Sequence, residues 1–272
     1  MDEILIEPNR GIKKQWQEVW AYRELFFFLA WRDILVRYKQ TIIGVGWSVL
    51  RPLMTMVILT IVFGKLAGLP SGEVPYPVLV FAAMLPWQFF SNTFTVGANS
   101  LISNRNMIAK IYFPRIILPT TAMVVNLVDF LISFAILVAM MFWYGIFPGW
   151  KIIILPFLLV LAALTSLGAG YWVSAMNVKY RDFRIVVPFI VQFGLYISPV
   201  GFSSAVVPDK WRLLYSVNPM VGVIDGFRWA LLGDSVGLYL PGFLLSIVLA
   251  GLLFALGLWF FNKTEREFAD II

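Results

Sequence analysis

The sequence predicts an all-α integral membrane protein with six transmembrane helices. Three observations predict it. The 272 residues are 60% hydrophobic and 13% charged, whereas soluble domains carry about 25% charged residues. Mean hydropathy is +0.84. Apolar stretches close to the ~20 residues that cross a roughly 30 Å hydrocarbon core recur along the chain. Cys and His are absent, which removes thiol chemistry, imidazole catalysis and the usual zinc or haem ligands, so no metal site is expected.

The elements follow in order. The polar start, Met1 to Gln17, lacks the apolar core of a signal peptide, so the whole chain is expected in the mature protein. Residues 1–46 form a cytosolic and interfacial region. Within it, "WRDILVRYKQTIIGVGW" gathers cations directly before the first long apolar run. On a helix, Phe27, Trp31, Ile34 and Tyr38 fall on one stripe, with Arg32, Asp33, Arg37 and Gln40 opposite. Arg32 and Asp33 interrupt the apolar run too early for a span, so this amphipathic helix should lie in the inner interface. It is either a topological anchor or a docking element for a cytosolic partner.

Spans are expected at about residues 47–66, 77–96, 116–144, 152–176, 185–202 and 240–261. Gly168, Gly170 and Ser174 give the fourth the small-residue spacing of close helix approach. Pro114, Pro119, Pro156, Pro188 and Pro199 mark expected kinks. Residues 203–239 are too long for a tight turn and too apolar for a free loop. "NPM" supplies a capping Asn218 with Pro219 at the first helical position. Met220, Val223, Ile224 and Phe227 then share a face until Gly233. Two short helices at, or dipping into, the outer face are expected, forming a re-entrant or gate segment. Residues 262–272 are a cytosolic tail. No repeat or linker divides the chain, so residues 1–272 form a single domain. With the N-terminus inside, 16 of the 21 Lys and Arg fall on the inner side. Lys65, Lys151, Lys210, Arg212 and Arg228 are the outer set. The imbalance predicts that both termini are cytoplasmic.

Four blocks then resemble one family. "RDILVRYKQTIIGVGWSVLRPL", "NRNMIAKIYFPRIILP", "NPMVGVIDGFRWALLG" and "EREFADII" are similar, in this order, to type-2 ABC-transporter permeases. These export bacterial polysaccharides: O-antigen, capsule and teichoic acid. The resemblance implies the membrane subunit of an exporter in the bacterial cytoplasmic (inner) membrane, moving a lipid-linked, undecaprenyl-type glycan outward, with O-antigen the leading substrate. It implies a homodimer of six-helix subunits driven by two copies of a separate ATPase, which binds ATP and Mg. In agreement, no G-x-x-x-x-G-K-[ST] phosphate cradle occurs; Gly64-Lys65 lacks both the upstream glycine and a following Ser or Thr. The chain needs no cofactor of its own. Its partners are the ATPase, a second copy, membrane lipids and the glycan, with no nucleic acid.

The same resemblance assigns sites. Arg32, Arg37, Tyr38 and Lys39, with Asn104 and Asn106 of the loop between spans two and three, would dock the ATPase. Arg105, Lys110 and Arg115 suit a pyrophosphate, because Arg pairs phosphate bidentately and Lys as a point charge. They would otherwise be interfacial anchors. Trp87, Phe89, Phe90, Phe94, Phe193, Tyr196 and Phe202 could line a glycan channel, the alternatives being a lipid-facing belt or helix packing. Met220, Phe227 and Trp229 could form an outer gate, or simply pack at the interface. Asp129 is the one carboxylate well inside a span, and should face the bundle or a cavity. Asn126 lies one turn away; no cationic partner is evident. A structural hydrogen bond and a pathway role both fit this pair.

Two other classes fare worse. A stand-alone secondary transporter would need coupling-ion sites and usually an internal repeat. A membrane-embedded enzyme would need several acids or bases on one surface, and the inner loops offer Asp182 alone.

Overall fold

The computed structural model describes residues 12–39, 45–180, 182–233, 236–265 and 268. All regular structure in them is helical. Two helices precede the bundle: α1 (Ile12–Ala21) and α2 (Arg23–Lys39). Next come α3 (Val45–Leu59), which continues as a π-helical stretch Thr60–Leu66, and α4 (Tyr76–Ser103). The single turn α5 (Arg105–Ile108) leads into α6 (Ile117–Trp143). A short 3-10 turn (Trp150–Ile154) opens α7 (Leu155–Lys179), and α8 (Phe183–Ile197) follows. Two short helices, α9 (Asp209–Tyr215) and α10 (Pro219–Leu232), precede α11 (Leu240–Thr264).

Among the described residues, four helical stretches are long and apolar enough to cross a membrane: Gly46–Leu66, Ile117–Trp143, Trp150–Lys179 and Leu240–Thr264. They fall on the first, third, fourth and sixth expected spans. The other two differ for physical reasons. Helix α4 is 28 residues long, but carries Gln88, Asn92, Thr93, Thr95 and Asn99. It is the hub of the bundle, packed by α3, α6, α7, α8 and α10, so its environment is protein and polar groups are tolerated there. Helix α8 is apolar but has 15 residues, about 22 Å at 1.5 Å per residue.

Two large cores lie along the bundle, beside a small cluster of Phe94 and Ala98 of α4, Val173 of α7 and Val187 of α8. The larger joins α4, α6, α7 and α10 through Phe81, Leu85, Phe130, Leu158 and Phe227. The smaller unites one end of the bundle: Leu29 of α2, Leu101 of α4, Ile117 of α6, Tyr171 and Ala175 of α7, Phe261 of α11, and Phe268 of the tail. Helices α7 and α11 meet most closely at two glycines. A Cβ on Gly257 would stand 2.1 Å from the Gly168 carbonyl oxygen. Of the small residues expected to mediate close approach, Gly168 does so, while a Cβ on Gly170 would meet no neighbour within 4 Å.

The segment before α11 starts its second helix as the sequence implies. The Asn218 side chain accepts the Met220 N–H at 3.1 Å, Pro219 follows, and Gly233 ends α10 at φ 73°. The proline expectations are corrected in part. Pro119 and Pro156 sit in first turns, where no hydrogen bond is lost. Pro188 lies inside α8, and Pro52 and Pro86 are interior to α3 and α4. On α2, Phe27 and Trp31 of the expected stripe are exposed, while Leu29 and Ala30 are buried against the bundle. Gln40 and Gly44 lie outside the described residues.

Candidate functional site

The last turn of α2 is tied to the middle of α6. The Arg37 guanidinium donates from Nη1 to Asp129 Oδ2, and to Asn126 Oδ1 at 3.0 Å. The Tyr38 hydroxyl donates to Asp129 Oδ1. Ser48 Oγ, from the first turns of α3, donates to that same oxygen at 2.9 Å. Asn126 is itself aimed by its Nδ2, which donates to the Ala122 carbonyl at 2.8 Å. The carboxylate thus joins three helices. Burial, then the bond to Asp129, pushes the Tyr38 phenol up to about 12, so it remains a donor at neutral pH.

This cluster forms one wall of a cavity of about 400 Å³. Helix α3 contributes Trp47, Ser48, Arg51 and Thr55, α4 contributes Gln88, Phe89 and Asn92, and α6 contributes Asn126, Asp129, Phe130 and Ser133. On each helix these positions recur at three or four residues, the spacing of one face. Polar stripes at such depth face protein or water, because acyl chains satisfy no hydrogen bond.

At the far end, Arg228 of α10 is completely buried. Its Nε donates to the Leu79 carbonyl at 3.0 Å, Nη1 to Phe202 O at 2.7 Å and Nη2 to Val200 O at 3.0 Å. One planar fork therefore fastens α10 to the Leu79 carbonyl of α4 and to two carbonyls of the turn after α8, Val200 and Phe202, which lie outside any helix.

The profile of the ABC-2 type transporter family matches residues 24–232, from the start of α2 to the end of α10. The chain belongs to that family. It is therefore an integral membrane protein and a transporter's membrane part, not its ATPase. The O-antigen export system permease protein RfbA of Myxococcus xanthus is 26% identical over 94% of this chain and 98% of its own length. The protein of that name from Klebsiella pneumoniae is 26% identical over 92% and 95%. The polysialic acid transport protein KpsM of Escherichia coli is 22% identical over 81% and 88%.

In this ABC-2 transporter chain the docking candidates separate into two sets. Arg37 and Tyr38 turn into the bundle. Arg32 pairs with its neighbour Asp33 at 2.7 Å, and Lys39 is exposed. Asn104 Nδ2 donates to the Ser100 carbonyl at 2.9 Å, finishing α4, while Asn106 is exposed. Arg105 and Lys110 are exposed as well, but Arg115 is engaged elsewhere. Its backbone N–H donates to Glu265 Oε1 at 2.9 Å, its guanidinium donates to the Glu265 carbonyl, and it lies 5.8 Å from the centre of the Phe268 ring. It fastens the tail to the α5–α6 loop.

The aromatic candidates also divide. Trp87, Phe89 and Phe94 are buried. Trp87 packs on Gly194 of α8, Phe89 edge-on to Phe130, and Phe90 stacks on Phe94. Phe202 packs against Phe63. Phe193 and Tyr196 of α8 are exposed. Phe89 alone of these lines the cavity. Of the gate candidates, Met220 and Phe227 are core residues, Phe227 edge-on to Phe130. They face no opening in this subunit because α4, α7 and α11 cover that face of α10. Trp229 is half-buried under the Lys151 ammonium, 4.6 Å from the ring centre.

Two positions and one pairing are not legible in the sequence: Arg51 reads there only as an inner cation, Arg228 only as an outer one, and nothing matches Arg37 with Asp129. The last pair spans 92 positions, and no local spacing rule links residues so far apart. Arg228 did carry a signal: a cation inside an otherwise apolar helix must find acceptors.

Proposed function

We propose that this chain is the permease subunit of an ATP-driven exporter carrying a lipid-linked polysaccharide, O-antigen first, across the bacterial inner membrane. The observation that carries the reading is coverage. Relatives named as O-antigen export permeases align with at least 92% of the chain, and the family profile spans α2 to α10. In this reading α4 and α8 complete six spans, and two subunits assemble with two copies of a separate ATPase that holds ATP and Mg. The smaller core supports the orientation. It brings α2, the α4 and α7 C-termini and the tail to one end of the bundle, where most of the cations also lie.

The geometry suggests how force would enter. Lys39 and Asn106 are the exposed docking groups, with Arg105 and Lys110 close by on the inner loop. Arg37 and Tyr38 act behind them, transmitting movement of α2 to α6 through Asp129. The KpsM likeness favours a capsular glycan as the second reading. The test is co-purification with the partner ATPase and measurement of ATP hydrolysis against lipid-linked O-antigen, capsular and teichoic-acid glycans. Stimulation by one class names the substrate. No stimulation by any, from a complex that hydrolyses ATP, would reject the proposal.

A further inference from the structure

We infer that the cavity between α3, α4 and α6 is a binding site for the phosphate headgroup of an anionic lipid, with Arg51 as its anchoring cation. This rests on the exporter reading but places the phosphate contact away from the inner loop. The charges decide the sign. Asp129 is neutralised by Arg37, and its two oxygens accept from Arg37, Tyr38 and Ser48. Arg51 also lines the cavity, and its guanidinium has no hydrogen bond or ion pair among the described residues. The wall therefore carries one net positive charge.

The neutral groups point to the same chemistry. The side-chain amides of Gln88 and Asn92 line the cavity and bond no described residue. A guanidinium takes two phosphate oxygens in a planar fork, and amides serve ester oxygens or sugar hydroxyls. Trp47 is half exposed at the rim, where a ring can cover the apolar face of a sugar or the first methylenes of a lipid chain. Arg51 is exposed in the isolated subunit, so its guanidinium is open to a phosphate and can take it as a planar fork. An apolar ligand would leave Arg51, Gln88 and Asn92 without partners, which the membrane penalises. Two sources share this headgroup chemistry: a polyprenyl pyrophosphate carrier and an ordinary acidic phospholipid.

The experiment measures lipid binding to the permease–ATPase complex in nanodiscs, with undecaprenyl pyrophosphate, phosphatidylglycerol and phosphatidylcholine as probes. Arg51→Gln should weaken binding of the net-anionic lipid by about tenfold, the size of one charge-assisted bond. Arg51→Lys should recover most of it, and phosphatidylcholine should be indifferent to both. Undecaprenyl pyrophosphate resisting competition by phosphatidylglycerol identifies the carrier; equal competition identifies a general acidic-lipid site; either sustains the phosphate site. Equal binding by wild type and Arg51→Gln overturns it. Failed export with Arg51-dependent binding intact would count against the exporter reading and leave this site standing.

Discussion

Removing the Arg37 guanidinium leaves the Asp129 carboxylate in a protein wall with two hydroxyl donors and no countercharge. A hydrogen bond to a charged group contributes about 1.5–3 kcal/mol. Arg37→Ala should therefore lower the thermal midpoint of the purified subunit clearly, and Asp129→Asn less, because the amide keeps Tyr38 and Ser48 as donors. The Arg37→Ala/Asp129→Ala double variant should be less damaged than the sum of its single changes, with a coupling energy of about 0.5–3 kcal/mol. Strict additivity would show that the pair does not act together. Tyr38 adds a pH signature. Its phenol is raised above the ordinary 10 to about 12, by burial first and then by Asp129. Its stabilising contribution is complete below pH 10 and is lost as pH rises through 12. Thermal stability should fall over that window, and Tyr38→Phe should flatten the fall.

At the scale of elements, the tightest seam is α7 against α11. A Cβ on Gly168 would lie 2.6 Å from the Phe254 nitrogen, and one on Gly257 2.1 Å from the Gly168 oxygen. Those neighbours are backbone and cannot rotate away. Gly257→Val should push the two helices apart and abolish recovery of a monodisperse subunit. Gly170→Ala, in open space, should behave as wild type. Size-exclusion profiles in detergent distinguish the two. The sequence made part of this seam legible through the small-residue spacing on α7. It did not show which glycine mattered, because that depends on the rotation of α11. The α10 start was fully legible, since Asn218, Pro219 and Gly233 act on backbone within a few residues. Met220 and Phe227 read as an outer face because periodicity shows that a stripe is apolar, not what covers it.

For the whole molecule, composition and the order of four motif blocks carried the class and the family. Span number was less legible. Hydropathy measures contact with lipid, and α4 avoids lipid by sitting at the hub, while α8 is shorter than a bilayer. The cavity was illegible for a related reason. Arg51, Gln88 and Asp129 lie on three helices, and each alone reads as a topological anchor, a tolerated amide or an isolated acid. Their meaning comes from convergence, and α2 closes the cluster by bringing Arg37 to Asp129. Helix α2 and the polar cavity thus share one set of side chains, Arg37 among them.

The central claim is tested most directly by reconstituting the permease and its ATPase in vesicles loaded on the cytoplasmic side with a lipid-linked polysaccharide, and measuring glycan that becomes accessible to an impermeant glycosidase outside. The account predicts ATP-dependent appearance of the glycan with wild type and a severalfold lower rate with Arg37→Ala at equal assembly. Exposure of glycan at the same rate without ATP, or none at all from an assembled, ATP-hydrolysing complex, would contradict it.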